Sequence, residues 1–204
     1  MLRVAVLPTR DAVLLPGAVN ELQVGRPGSV AALRYAAEHA DQVLVVLQKN
    51  AGVEDPGAGD LHNVGTLCRV TDAERMSADA ACIGVLGLER VRLGVVERSG
   101  DALFASVEPL GWAPAEPKMS AVLKETLPLV IGHGLRAVMS ALSFGALEAR
   151  TATEMISALS VVAPVRPAAL QRVLETGELQ PIADGLESLR DQSWLARFLR
   201  WARR

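Results

Sequence analysis

Aromatic residues are scarce in this sequence. Phenylalanine, tryptophan and tyrosine make up 3% of its 204 residues, with three Phe, three Trp and one Tyr. A hydrophobic core must therefore be built from Ala, Val and Leu, and few rings are present on which unpaired bases could stack. The scarcity disfavours a protein that binds single-stranded nucleic acid.

The common catalytic and metal-binding motifs are also missing. The sequence contains no Gly-x-x-x-x-Gly-Lys-[Ser/Thr] phosphate-binding loop and no Gly-x-Ser-x-Gly nucleophile turn. The three histidines lie far apart and lack zinc-ligand spacing: His39, His62 and His133. We therefore expect no catalytic residues, no metal and no cofactor, and hence a protein that is not an enzyme.

Long apolar runs and cysteines are few as well. No stretch approaches the roughly 20 apolar residues of a membrane-spanning helix, and residues 1–8 lack the layout of a cleavable signal peptide. We expect a cytoplasmic protein. The two cysteines, Cys68 and Cys82, flank a predicted turn at residues 73–79 and would be cross-strand neighbours. In a reducing cytosol we interpret them as core thiols rather than a disulfide.

What the sequence has in quantity is hydrophobic residues, at 50% of the chain with a mean hydropathy of +0.25. This content supports a core in one compact unit or two small ones. The formal net charge of -2 is divided unevenly, because residues 1–113 carry 10 Lys/Arg against 14 Asp/Glu and residues 114–204 carry 11 against 9. The mildly acidic first part again disfavours nucleic acid as a partner.

The first half of the sequence has the period-two pattern of strands. Strands are predicted at residues 3–8, 42–48, 64–70, 81–86, 89–97 and 102–110, with a hairpin turn at 98–101. One helix interrupts them, with Ser29 as its N-cap and Val30, Leu33 and Ala37 on its apolar face. Residues 50–60 form an acidic loop by composition.

The second half has the period of 3.6 that is typical of helices. Helices are predicted at residues 118–142 with a break at 132–134, at 151–162, at 167–175 and at 181–201. The period changes in residues 109–117, around Trp112. We therefore predict an α+β fold with a β-rich domain at residues 1–113 and a helical bundle at residues 114–204.

Several short motifs occur in a characteristic order: LPTRD at residues 7–11, LLPG at 14–17, VGR at 24–26, VGT at 64–66 and GLERV at 87–91. In this order they resemble the amino-terminal domain of Lon proteases, strongly as far as Leu110 and loosely beyond it. The resemblance implies a PUA-like β pseudobarrel followed by a helical bundle. It also implies a part in recognising protein substrates.

Ten positions carry the resemblance, and we interpret them mainly as architecture: Pro8, Arg10, Asp11, Pro16, Gly17, Gly25, Arg26, Gly65, Gly87 and Arg90. Arg10 and Asp11 would form a local ion pair, Pro16 and Gly17 a tight turn, and Gly87, like Gly65, would allow close backbone approach or a bulge.

The chain departs from the family pattern in three places, one of which is Thr9 where the family commonly has leucine. Asn20-Glu21 stands where the family usually has an apolar residue and a proline. The chain ends at Arg204, where Lon continues into an ATPase and a Ser-Lys peptidase. The resemblance therefore does not imply proteolysis.

These observations favour a non-catalytic module that binds polypeptide substrates or a partner protein. Binding would use an exposed apolar patch or an unpaired strand edge. The candidate contacts are Leu14, Leu15, Val19 and Trp112, each of which would otherwise belong to the core. The amphipathic stretch at residues 193–201 would pack on the bundle, dock on a partner or contact an anionic membrane surface. The alternatives are an RNA-binding PUA-like protein and an uncharacterised hydrolase.

Overall fold

The structure is a computed structural model that describes residues 2–72, 80–118, 156, 157, 160, 163 and 165–189. The chain divides into two compact units, Met1–Trp112 and Ala113–Arg204. The first unit contains six strands: β1 (Leu2–Thr9), β2 (Val19–Val24), β3 (Gln42–Leu47), β4 (Val64–Asp72), β5 (Ala81–Ser99) and β6 (Ala102–Pro109). One α-helix, α1 (Pro27–His39), precedes β3, and a short 3-10 turn, Ala58–Asp60, precedes β4.

The strands close into a barrel. Their order is β2-β5-β4-β3-β1-β6, and β5 also pairs with β6, so that five of the strands form a ring. The pair β1–β3 is parallel and the other pairs are antiparallel. The 19-residue strand β5 belongs to the ring along its second half, while its first half extends to pair with β2. The barrel therefore carries β2 as an added strand outside the ring.

Two hydrophobic cores lie on opposite faces of this sheet, as expected from the alternation of side chains along each strand. One core contains Val4, Val6, Leu44, Val46, Leu61, Leu67, Val91, Leu103, Ala105 and Val107. The other joins β1, β3 and the first half of β5 to α1 and contains Ala5, Leu7, Leu14, Leu22, Val24, Val30, Leu33, Val43, Val45, Cys68, Ile83, Val85 and Phe104, among others. The α+β fold with a β pseudobarrel is thus confirmed.

Helix α1 begins earlier than predicted. Its N-cap is Arg26, and Pro27 occupies the first turn, where its missing N–H has no cost because that group would not be bonded in any case. Ser29 is therefore inside the helix rather than its N-cap. The buried face runs through Val30, Leu33 and Ala36, while Ala37 is exposed.

The two strands predicted at residues 81–86 and 89–97 form the single strand β5. The interruption expected between them is a register shift against β4, between the pairs Leu67–Glu89 and Cys68–Gly87. A bulge of this kind absorbs an extra residue without ending the strand. The gap between the two predicted strands is therefore a bulge within one long strand.

A tight turn at Leu15–Ala18 leads into β2. The amide of Ala18 donates to the carbonyl oxygen of Leu15 at 2.9 Å, and Gly17 has a φ of 83°. Proline followed by a glycine with positive φ is typical of a type II turn. The amide of Gly17 donates to the carbonyl oxygen of Gly87, and the amide of Gly87 donates to the carbonyl oxygen of Ala18, both at 2.8 Å. Gly17 and Ala18 thus lie opposite the single residue Gly87, as in a β-bulge whose first residue is a glycine in the left-handed region.

Glycine is required at position 87 because this turn lies against it. A Cβ atom there would clash with the carbonyl group of Leu15 and crowd the methyl group of Thr66, which lies 3.3 Å away. The hydroxyl group of Thr66 also donates to the carbonyl oxygen of Leu14 at 2.6 Å. The residues before β2 are therefore fastened to the barrel wall at both β4 and β5.

The described part of the second unit contains α2 (Pro167–Thr176) and α3 (Gln180–Leu189). Gly177, with a φ of 80°, ends α2 by donating to the carbonyl of Val173 at 2.8 Å, which confirms the helix predicted at residues 167–175. Residues 119–142 of the first predicted helix, most of residues 151–162 and the stretch at 190–201 lie outside the described residues.

We expect Gly87→Ala to lower the free energy of unfolding by about 1–3 kcal/mol, because the added methyl group must displace the turn. Urea denaturation followed by circular dichroism measures the change. Gly25→Ala is the matched control, since a Cβ at that position meets no atom within 4 Å. Equal stability of the two variants would contradict the close approach of the turn to Gly87.

Candidate functional site

Strand β2 is an edge strand, because within the described residues it pairs with β5 alone. Bonded and non-bonded pairs alternate along an antiparallel ladder. Since the carbonyl of Ala18 is bonded to Gly87, the bonded positions continue at even-numbered residues of β2. The backbone N–H and C=O groups of Val19, Glu21 and Gln23 therefore point away from β5. We call these three residues the β2 edge.

Asn20 caps part of this edge. Its side-chain oxygen accepts a hydrogen bond from the backbone N–H of Glu21 at 2.9 Å, which shows independently that this N–H does not point towards β5. A side chain that occupies an edge donor protects the strand from unselective pairing. The polar pair Asn20-Glu21, which departs from the family pattern, thus lies at the centre of the edge.

The two faces of β2 differ in character. Leu22 and Val24 are 7% and 8% exposed and belong to the core shared with α1. On the other face Val19 is half-buried, and Glu21 and Gln23 are exposed. Glu21 also accepts a hydrogen bond from the thiol of Cys82 on β5. An extended segment beside β2 would meet an apolar face on one side and a polar, acidic face on the other.

Of the four predicted contact residues, two lie in the core. Leu14 is 1% exposed and Leu15 is 0% exposed, so the core alternative holds for both leucines. Val19 belongs to the β2 edge and is half-buried. Trp112 is also half-buried, and the guanidinium group of Arg90 lies over its ring at 5.7 Å. The structure does not place the four residues on one surface.

A second feature of the first unit is a cleft of about 310 Å³ at the start of α1. Its lining includes Arg26 from the helix N-cap, Arg98 from the end of β5 and the acidic residues Glu54, Asp55 and Asp101. The carboxylates lie on the acidic loop and on the hairpin between β5 and β6. The cleft thus carries both signs of charge on a lining that also includes apolar side chains.

Arg26 connects three segments around this cleft. Its guanidinium group donates to the carbonyl of Pro8 and to the side-chain oxygen of Gln48, the latter at 2.5 Å. The amide group of Gln48 donates in turn to the carbonyls of Asn50 and Val53, at 3.3 and 2.9 Å. Sequence reasoning singled out Pro8 and Arg26 but did not assign Gln48 to this contact. The signal for Gln48 is its position, since a glutamine that directly follows an apolar strand is a candidate for a buried polar contact.

Charged neighbours of Arg26 oppose one another in their effect on it. Burial lowers the pKa of the Arg26 guanidinium, and the nearby charge of Arg10 lowers it further, whereas Glu54 and Asp55 raise it. The group stays charged at neutral pH because the ordinary arginine value is far above it. Its charge-assisted hydrogen bonds to Pro8 and Gln48 are therefore kept.

Two further arginines hold the acidic loop. Arg10 forms an ion pair with Glu54 at 2.6 Å, and Arg98 forms one with Asp55 at 2.8 Å. The local ion pair predicted between Arg10 and Asp11 is therefore wrong, because the acidic loop passes close enough to Arg10 to supply its partner. Sequence separation hid this contact, since Arg10 and Glu54 lie 44 residues apart.

The other two glycines that carry the family resemblance, Gly65 and Gly25, differ in their roles. A Cβ at Gly65 would lie 2.7 Å from a methyl group of Val46 and 2.8 Å from the carbonyl oxygen of Val45, so this glycine allows β3 and β4 to approach closely. Gly25 is exposed and meets nothing within 4 Å. Close approach thus accounts for Gly65, and nothing in the structure explains the glycine at position 25.

The two cysteines are free thiols, but they are not cross-strand neighbours. Cys68 lies opposite Gly87 and Cys82 lies opposite Gln23. Cys68 is buried in the core as predicted, and burial raises the pKa of its thiol well above the usual range. Cys82 is only half-buried.

Within the described residues, no group of three or more His, Cys, Asp and Glu side chains has an arrangement that could hold a metal ion. Among the described helices, none has the length and apolarity to cross a membrane.

Comparison with known proteins gives a consistent family. The family model for the substrate-binding domain of the ATP-dependent protease La (LON) matches residues 3–180. The Lon protease of Erwinia amylovora is 33% identical over 125 residues, which cover 61% of this chain and 16% of that protein. The Lon protease of Xanthomonas oryzae pv. oryzae is 43% identical over 101 residues, or 49% of this chain and 12% of that protein. The match thus spans a small part of each relative.

Solved structures show the same fold. The N-terminal domain of a Mycobacterium avium complex Lon protease superposes with a TM-score of 0.61 at 18% identity, covering 94% of this chain and 100% of that one. A Lon N-terminal domain protein from Xanthomonas campestris gives 0.57 at 15% identity, covering 92% and 98%. The likeness therefore extends over both units of the chain.

We expect Arg26→Met to lower the free energy of unfolding by about 2–3 kcal/mol, because it removes hydrogen bonds from a charged, half-buried donor. Hydrogen exchange should also become faster in the acidic loop. Arg10→Met is the control, since its exposed ion pair should contribute at most about 1 kcal/mol. If both variants lose the same stability in urea, Arg26 does not anchor the loop.

We expect a thiol reagent to modify Cys82 in the folded protein and Cys68 only after unfolding. The raised pKa means that folded Cys68 keeps its proton above the ordinary thiol value of about 8.5, whereas the unfolded chain loses it. Stability linked to this group is complete below that pH and declines above it. Labelling of a Cys82→Ser variant with and without denaturant measures the protection, and rapid labelling of its native state would refute it.

Proposed function

Because the chain belongs to the family of Lon protease substrate-binding domains, we propose that it is a non-catalytic module that binds extended polypeptide segments. The relatives are proteases, whose substrates are polypeptides, and the matched part of each is the domain that the family model describes as substrate-binding. The ligand of this chain is accordingly an unfolded or extended stretch of protein rather than a small molecule.

The observation that carries the proposal is the β2 edge. Val19, Glu21 and Gln23, alternate residues of β2, present outward-facing backbone groups at one margin of a barrel whose other described strands pair on both sides, with the Glu21 N–H shared with Asn20. An extended peptide can add to such an edge as a further strand, with affinity from main-chain hydrogen bonds and selectivity from alternate side chains. Each added bond contributes about 0.5–1.5 kcal/mol net.

The edge is also held rigidly, which lowers the entropic cost of binding. The turn at Leu15–Ala18 fastens the start of β2 to Gly87, and Arg26 secures the chain just beyond its end. Leu22 and Val24 anchor the strand itself in the core. A peptide would therefore meet a preformed template.

Charge pairing within the barrel unit disfavours RNA as the ligand. Four exposed arginines form ion pairs with neighbouring carboxylates: Arg3 with Glu97, Arg10 with Glu54, Arg92 with Glu108 and Arg98 with Asp55. An RNA backbone would have to compete with these carboxylates for each guanidinium group. The polypeptide proposal requires no such competition.

We expect Gln23→Pro to weaken binding of an unfolded probe, reduced and carboxymethylated lactalbumin, by about fivefold while leaving the fold intact, because one main-chain hydrogen bond is lost. Proline at position 23 removes an N–H that points away from β5, so the pairing with β5 is kept and only the edge loses a donor. Fluorescence anisotropy of the labelled probe measures binding, and circular dichroism with urea denaturation checks the fold.

Gln23→Val is the matched control, because it changes the same side chain but keeps the backbone N–H. It should bind the probe within about twofold of the original chain. If Gln23→Pro binds as well as Gln23→Val, the β2 edge is not the site. Binding that falls steeply with salt and prefers single-stranded RNA would favour the alternative function.

A further inference from the structure

The polarity of the β2 edge points to the kind of polypeptide it accepts. Resting on the proposed function, we infer that the edge selects extended segments that alternate apolar and basic residues, with a Lys or Arg placed opposite Glu21. Glu21 is the specificity-determining residue in this arrangement. The inference follows from the position of its side chain, the faces of β2 and the groups around it.

Glu21 lies in the middle of the edge, on the polar face. Its backbone groups point away from β5 and its side chain is exposed. Directly opposite residues on neighbouring antiparallel strands have Cβ atoms about 4.5–5.5 Å apart, and opposite charges at that distance attract. A lysine or arginine on an added strand would therefore reach the Glu21 carboxylate.

Among the described residues, Glu21 forms no ion pair. Across the strand pair it faces Gly84, which has no side chain, and diagonally it accepts a hydrogen bond from the thiol of Cys82. Val19 and Gln23, the other residues of the β2 edge, are neutral. Among the three residues of the β2 edge, Glu21 is thus the charged residue that an incoming strand would meet.

The opposite face of the same edge selects apolar residues. Leu22 and Val24 are buried in the core, next to Ile83 and Ala81 on β5. The side chains of an added strand that point to this face would extend the apolar surface of β2. Because successive side chains alternate between faces, the favoured segment alternates basic and apolar residues.

A second copy of this chain is a poor occupant of the edge. A symmetric antiparallel pairing centred on the edge places Glu21 directly opposite Glu21 of the other copy, and like charges in that position are destabilising. The bond from Asn20 to the N–H of Glu21 adds a further obstacle to unselective pairing. A foreign segment with a basic residue opposite Glu21 is attracted to its carboxylate, whereas a second copy is repelled by it.

The test uses the full chain and short soluble peptides that alternate valine with lysine, glutamine or glutamate. We expect the lysine peptide to bind about fivefold more tightly than the glutamate peptide, with the glutamine peptide between them. The preference should weaken as salt is added, because the pair is exposed. Fluorescence anisotropy gives the three affinities.

Variants at position 21 separate charge from other effects. Glu21→Lys should reverse the order of the peptides, and Glu21→Gln should bring the three affinities within about twofold. Position 21 is exposed, so both variants should retain the fold, which circular dichroism verifies. Retention of the lysine preference in Glu21→Lys would overturn the inference.

The outcomes distinguish the inference from the function on which it rests. Equal binding of all three peptides, weakened in Gln23→Pro, would leave polypeptide binding standing and overturn the charge selection. Absence of binding for all three peptides and for the unfolded lactalbumin probe would contradict the proposed function itself. Concentration-dependent dimers that weaken in Gln23→Pro would show that a second copy occupies the edge, which also overturns the inference.

Discussion

The contact between the Leu15–Ala18 turn and Gly87 is the constraint on which the rest of the first unit depends. Two reciprocal backbone hydrogen bonds join Gly17 and Ala18 to Gly87, and the carbonyl of Leu15 occupies the space that any side chain at position 87 would need. This contact sets which residues of β2 bond to β5. A one-residue slip would send Leu22 and Val24 to the polar face, so the core and the edge are specified together.

The arginine contacts around the acidic loop serve the same architecture from the other end of β2. Arg26 lies at the junction of β1, α1 and the loop, and its two hydrogen bonds join elements that are distant in sequence. Arg10 and Arg98 then neutralise the loop's carboxylates. These three arginines are therefore committed to holding the acidic loop and the segments around it.

Several features were predictable from the sequence because they depend on local chemistry. Pro16-Gly17 predicts a turn through the fixed φ of proline and the positive φ open to glycine, and Gly177 ends α2 for the same reason. One prediction failed because a second local signal was stronger. Ser29 is a good N-cap residue, but the helix begins at Pro27, because proline is favoured at the first helical position.

The amino-acid sequence by itself determined the α+β class, the ordered family motifs and the buried strands, since hydrophobic periodicity and turn chemistry operate over a few residues. Tertiary structure alone decided that β2 is an edge strand, that Leu14 and Leu15 face the core, and that Arg10 pairs with Glu54 instead of Asp11. Each of these depends on which distant strand or loop lies alongside. Strand order and long-range charge pairing depend on which distant segments the folded chain brings together, and no local pattern in the sequence encodes this.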